Sequence, residues 1–130
     1  MRKQPTVVGL KVCQHAIVQE KTRNVTLVNC FRHLRFADFP TRPTAFTVCI
    51  VLTDGRGEGE LLLRICDLDD MEVIWTESRK AKLKDPLKEI WYLLPVSDCV
   101  FSRPGKYEIS LAVDGQHAAQ TVFQVLHIGD

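Results

Sequence analysis

The feature that most constrains this chain is a period of two: apolar residues recur at every second position, in short runs broken by turn residues. Val8, Leu10 and Val12 alternate with Gly9 and Lys11. Phe46, Val48, Ile50 and Leu52 alternate with Thr47, Cys49 and Val51, and Leu61, Leu63 and Ile65 with Leu62 and Arg64. Tyr107, Ile109, Leu111 and Val113 alternate with Glu108, Ser110 and Ala112. Such spacing puts one face of a strand on a core and the other toward solvent.

Between these runs stand turn residues: Lys21–Asn24, Pro40–Pro43, Asp54–Gly59, Asp67–Asp70, Pro95–Asp98, Arg103–Gly105 and Asp114–Gly115. They divide the chain into about eight strands: 7–18, 24–36, 44–53, 59–68, 71–77, 88–94, 105–113 and 117–127. Short connections between consecutive strands imply antiparallel hairpins rather than βαβ crossovers. Asp114-Gly115 carries the strongest hairpin signal, because a type I′ turn needs positive φ at both positions. Asp54-Gly55-Arg56-Gly57 reads as a looser hairpin loop. Glu77 to Glu89 is rich in Arg, Lys, Ala and Leu, but Pro86 would break a helix, so it reads as a polar connection with at most one or two turns.

So many short strands cannot share one open sheet without wetting an apolar face, so they stack as a sandwich or close as a barrel. The segment Arg103-Pro104-Gly105-Lys106-Tyr107-Glu108-Ile109-Ser110-Leu111 favours the sandwich. The penultimate strand of many immunoglobulin-like domains begins in this way, and its tyrosine hydrogen-bonds back across the corner. The expected fold is an all-β, two-sheet antiparallel sandwich, immunoglobulin-like or C2-like, forming one domain over residues 1–130.

Size and charge narrow the function classes. A chain of 130 residues builds a core without staples. With 17 basic and 16 acidic side chains the net charge is +1, which argues against a partner held by overall field, nucleic acid in particular. No apolar run reaches the roughly 18 residues that span a bilayer, so no stable membrane anchoring is expected. The N-terminus starts basic, but its apolar stretch runs only from Val7 to Leu10, too short for an export signal. The cysteines Cys13, Cys30, Cys49, Cys66 and Cys99 form no CxxC pair, and buried free thiols in a cytoplasmic protein are the simplest reading. No cofactor is implied.

Three stretches carry a family resemblance. They are Val12 to Phe36, with Asn24-Val25-Thr26-Leu27-Val28-Asn29-Cys30-Phe31 after a short turn; Phe39-Pro40 followed by the strand Phe46–Leu52; and Pro104-Gly105-Lys106-Tyr107 with its Asp114-Gly115 hairpin. In these the chain resembles an uncharacterised bacterial family of small β-sandwich proteins, a domain of unknown function. The resemblance implies a fold and a cytoplasmic bacterial setting, and it transfers no catalytic residue.

Four constellations are candidates for chemistry or contact. The loop Phe36-Ala37-Asp38-Phe39-Pro40-Thr41-Arg42-Pro43 combines rings, prolines and a guanidinium, a composition enriched at interfaces. Phe36, Phe39, Pro40 and Arg42 are therefore the expected contact residues of a protein partner or a second copy of the chain, unless the two rings cap the core. The acidic run Asp67-Leu68-Asp69-Asp70-Met71-Glu72 resembles the calcium loops at the tip of C2-type domains, which makes Asp67, Asp69 and Asp70 the alternative cation site. An ordinary turn, in which Asp side chains bond neighbouring amides, is the plainer reading of the run. The basic run Arg79-Lys80-Ala81-Lys82-Leu83-Lys84, flanked by Trp75 and Trp91, is a solvated connection, a lipid-facing patch or protection for a strand edge. His15 and His33 would face each other near Cys13 or Cys30 if the first two strands paired, giving a third, weaker reading as a hydrolase or metal enzyme. The leading expectation is a non-enzymatic module that works by protein–protein contact.

Overall fold

The computed structural model describes residues 5–85 and 87–129. The basic N-terminal residues 1–4 and the helix-breaking Pro86 of the sequence reading lie outside the described residues. Among the described residues nine strands follow in order: β1 (Thr6–Val18), β2 (Val25–Cys30), β3 (His33–Phe36), β4 (Phe46–Thr53), β5 (Gly57–Asp67), β6 (Glu72–Leu83), β7 (Ile90–Val96), β8 (Gly105–Val113) and β9 (Gln116–His127). They form a four-stranded sheet, β2-β1-β4-β7, and a five-stranded sheet, β3-β9-β8-β5-β6. The fold is all-β, and no helix among the described residues is long and apolar enough to cross a membrane.

One apolar core is drawn from both sheets. Val48, Ile50, Leu52, Leu94 and Val96 come from the first, and Leu61, Leu63, Ile65, Ile109, Leu111 and Val125 from the second. A chain of rings runs through it. Phe31 meets Phe46 and Phe123 edge-on at 5.6 and 5.8 Å, and Phe101 meets Tyr107 at 4.8 Å and Phe123 at 5.9 Å. Such edge-to-face contacts set the positive rim of one ring against the negative face of the next.

The period-two reading locates the strands but not all of their partners. The run expected as one strand over 24–36 is two, and they belong to different sheets. β2 pairs with β1, opposing Cys30 to Cys13, whereas β3 pairs with β9, opposing His33 to Gln124. Asn29 takes a left-handed backbone, φ 54°, and Phe31 turns inward to become buried, so the chain steps from one sheet to the other at Phe31-Arg32. The β3–β9 pairing is also parallel, an exception to the expected antiparallel rule.

Two connections are corrected as well. Asp54–Arg56 is not a hairpin loop, because it joins β4 of the first sheet to β5 of the second. Gly55 is buried there, and a Cβ in its place would lie 2.6 Å from Leu83 Cδ1. The basic run is not a loose connection either, since β6 continues to Leu83 with Ala81 and Leu83 buried between exposed lysines. The β8–β9 hairpin matches the expectation, with φ of 51° at Asp114 and 82° at Gly115.

The four-stranded sheet is curled. β2 and β7 are its outermost strands, yet Val18, Arg23 and Val25 of the first hairpin share a cleft of about 670 Å³ with Ile90, Trp91 and Leu93. The face of β4 turned away from the shared core is buried too, Cys49 to 1% and Val51 to 8% exposure. Its apolar run therefore serves two interiors.

Candidate functional site

The loop from Phe36 to Pro43 leaves β3 at the end of the core. Phe36 and Phe39 are half-buried and meet edge-on at 6.3 Å. Phe36 stacks on Phe101 at 6.4 Å, and Phe39 lies 6.4 Å from the His127 ring. Thr41 and Phe101 exchange two backbone hydrogen bonds of 2.9 Å, which pin the loop, and the Phe39–Pro40 peptide bond is cis. The two rings thus close the end of the core, while Pro40 and Arg42 point to solvent. Arg42 makes an exposed ion pair with Asp98 at 3.5 Å.

The acidic turn between β5 and β6 is organised around an arginine. Asp67 is buried, and its Oδ2 accepts a 3.0 Å hydrogen bond from Arg103 Nε. Arg103 Nη2 lies 2.9 Å from Asp70 Oδ2 and 3.5 Å from Asp69 Oδ2. The other oxygens cap the turn: Asp67 Oδ1 accepts from the Asp69 amide and Asp70 Oδ1 from the Glu72 amide, both at 2.9 Å. The three carboxylates of the expected cation site are therefore brought together, but on a guanidinium. Among the described residues no group of three or more His, Cys, Asp or Glu is placed to hold a metal ion. The hydrogen bond to Asp67 holds the Arg103 guanidinium further above its ordinary range. Next to it, the Tyr107 hydroxyl donates a 2.6 Å hydrogen bond to the Arg103 carbonyl, the bond across the corner anticipated from the sequence.

The histidine pair does not form. Register sets His15 opposite Val28 in the four-stranded sheet and His33 beside Gln124 in the five-stranded one. The basic run faces acids across the ladder, Lys82 opposite Glu58 and Lys80 opposite Glu60, and the Lys82 amide donates to Tyr92 Oη at 3.2 Å. Trp75 is half-buried on β6, and Trp91 is 41% exposed on β7.

Two clefts were not found by sequence reasoning. The first lies between the facing ends of the curled sheet, with Trp91 on its wall and the Trp91 indole N–H bonded to Glu89 Oε1 at 2.6 Å. The signal in the sequence was the uninterrupted apolar run from Val48 to Leu52, which marks a strand covered on both faces. The second, about 630 Å³, lies where the chain steps between sheets, and Lys11, Cys30, Arg32 and Lys106 line it. Nothing local marks that one, because its residues are far apart in sequence.

A family model described as a family of unknown function (DUF6941) matches residues 10–126. Among curated proteins none matches the chain. Among solved structures, the chain is similar to an alkylpurine DNA glycosylase, AlkC of Pseudomonas fluorescens, bound to DNA containing an abasic site analog. The identity is 10% and the TM-score 0.48, over 90% of this chain and 30% of that one, so this chain spans under a third of that protein's length. A likeness that low carries nothing across. The chain belongs to the DUF6941 family.

Proposed function

We propose that this member of the family is a non-enzymatic recognition module, an immunoglobulin-like two-sheet sandwich that holds an extended segment of a protein partner. The observation that carries the reading is the cleft of the curled sheet, lined by Val25 at the start of β2 and by Ile90, Trp91 and Leu93 on β7, the two outermost strands, neither of which pairs on its outer side among the described residues. An extended peptide entering there adds main-chain hydrogen bonds to an open edge, while Val25, Ile90, Trp91 and Leu93 take its alternate side chains. An exposed tryptophan beside a concavity is a frequent energetic anchor of such contacts. The Tyr107 corner bond supports the immunoglobulin-like reading of the sheets. Five free thiols, three of them buried, fit the cytoplasmic setting that this reading adopts.

The loop carrying Phe36, Phe39, Pro40 and Arg42 is the second surface offered to a partner, through its exposed Pro40 and Arg42. The test separates the two. A partner co-purified with tagged protein is challenged with Trp91→Ala and, separately, with Phe39→Ala plus Arg42→Ala. Amide exchange is then compared with and without that partner. We expect Trp91→Ala to release the partner and exchange to slow along 25–30 and 90–96. Unchanged exchange on both edges overturns strand addition. Release only by the loop pair moves the contact to residues 36–42.

A further inference from the structure

The cleft at the sheet-to-sheet step has a chemistry that the recognition reading does not use. Three cations line it from separate parts of the chain: Lys11 on β1, Arg32 at the step between β2 and β3, and Lys106 on β8. No ion pair engages any of them among the described residues, and no carboxylate lines the cleft. Glu108 is the nearest acid along β8, half-buried two residues from Lys106. Thr121 and Gln124 of β9 add polar groups, Gln124 directly beside Lys106 in the ladder. The walls are fixed by backbone, since the Gln124 amide donates to the Arg32 carbonyl at 2.8 Å and the Leu68 amide to the Lys106 carbonyl at 3.0 Å. A concave site with one sign of charge concentrates the opposite sign.

Cys30 opens into this cleft and is exposed. Directly across the ladder lies Cys13, wholly buried. The Phe31 amide donates to the Val12 carbonyl at 3.2 Å, so that pair is hydrogen-bonded and the adjacent Cys13–Cys30 pair is of the non-hydrogen-bonded kind. Such pairs bring Cα atoms to about 4.5 Å, within the roughly 4.4–6.8 Å that a disulfide spans. Burial first, and the neighbouring Cys30 thiol second, push the Cys13 thiol above its ordinary range.

We propose that Lys11, Arg32 and Lys106 bind an anionic low-molecular-weight disulfide, a carboxylate-bearing one of the glutathione type, for reaction with Cys30 and then Cys13. The Cys30 thiolate attacks one sulfur of the disulfide. A Cys30 mixed disulfide forms, the S–S bond of the ligand breaks, and the departing thiolate takes up a proton. Cys13, deprotonated, then attacks the Cys30 sulfur, closing the Cys13–Cys30 disulfide and releasing the second thiol. Two protein thiols are oxidised and one disulfide is reduced to two thiols, so electrons and protons balance. The second step is the slower, because a thiol held protonated by burial is a rare nucleophile. The product ties β1 to β2 beside the step between sheets.

The test uses the reduced full chain and two probes, oxidised glutathione and the uncharged 2-hydroxyethyl disulfide. Each rate is normalised to that probe's rate with free cysteine, and products are read by intact mass and peptide mapping. We expect oxidised glutathione to be favoured on the order of tenfold at low salt. The preference should vanish in high salt and in Lys11→Gln with Lys106→Gln, whose melting temperature reports an intact fold. The adduct should map to Cys30 and then convert to the internal disulfide, and Cys13→Ala should stop at the adduct. Equal normalised rates for the two probes, an adduct on another cysteine, or an unaltered rate in the lysine variant overturns the proposal. A wild-type reaction that ends at the adduct overturns the role of Cys13.

Discussion

At the scale of single residues, the corner formed by Asp67, Arg103 and Tyr107 shows how polar groups are settled at the edge of an apolar core. Tyr107 is fully buried, and its hydroxyl has one partner, the Arg103 carbonyl. Tyr107→Phe keeps the ring contacts with Phe101 and Phe123 and deletes only that bond. We expect it to cost about 1 kcal/mol, seen as a fall in Tm of roughly 3–5 °C for a chain of this size. An unchanged Tm would mean that the corner contributes nothing. The buried thiols give a pH dependence. Burial pushes Cys99 up to about 12 and Cys49 up to about 11, from an ordinary 9.0. For Cys49 the nearby Cys13 and Cys30 thiols act in the same direction. Above pH 9 the unfolded chain sheds protons that the folded chain keeps, so rising pH favours unfolding, by up to about 1.4 kcal/mol per pH unit for each thiol. Stability is full below pH 9 and is lost toward pH 11 to 12. Thermal melts from pH 8 to 11 should show this slope, and Cys99→Ala should flatten it. Equal slopes in the two proteins would show that Cys99 titrates normally.

At the scale of elements, strand edges decide what the molecule exposes. β6 closes one side of the five-stranded sheet, and its lysines project from a strand whose alternate residues, Ala81 and Leu83, are buried. Charge on an edge strand discourages a second chain from pairing there. Replacing Lys80 and Lys82 by valine removes that charge and two cross-strand partners of Glu60 and Glu58. Exposed pairs of this kind are worth about 0.2–1 kcal/mol each, so the fold should survive. Sedimentation should then show larger species than the wild type forms, and an unchanged distribution would deny the lysines this role. The same edge explains what was legible beforehand. Alternation at Ala81 and Leu83 was present in the sequence, but the surrounding cations and Pro86 outweighed a two-residue signal. The 24–36 segment failed differently: its apolar pattern is continuous, and only the left-handed Asn29 and the inward Phe31 divide it between sheets. A partner change of that kind depends on strands more than ninety residues further on, which no local pattern encodes. Of the candidate sites, the loop residues and the acidic run were legible as clusters, whereas Arg103, which fills the acidic run, lies thirty-six residues away.

At the scale of the whole molecule, the question is whether the curled sheet and the five-stranded sheet unfold as one unit. Phe31 is the natural point to ask it. It stands where the chain leaves β2 for β3, buried to 8% exposure, and it touches Phe46 of the first sheet and Phe123 of the second. A shared core predicts that the sheets stand or fall together, as small domains with a single core do. The two tryptophans serve as reporters, because Trp75 lies on β6 of the five-stranded sheet and Trp91 on β7 of the four-stranded one. In Trp75→Phe and Trp91→Phe proteins, the remaining indole should give urea transitions of matching free energy. Phe31→Ala removes a buried ring and two edge-to-face contacts, a loss of about 3–5 kcal/mol. It should move both reporters by the same amount, even though the substitution lies on neither reporter's strand. If the Trp91 transition moves well ahead of the Trp75 transition, the curled sheet is a separate cooperative unit attached at Phe31. The cleft between β2 and β7 would then open without disturbing the rest of the core.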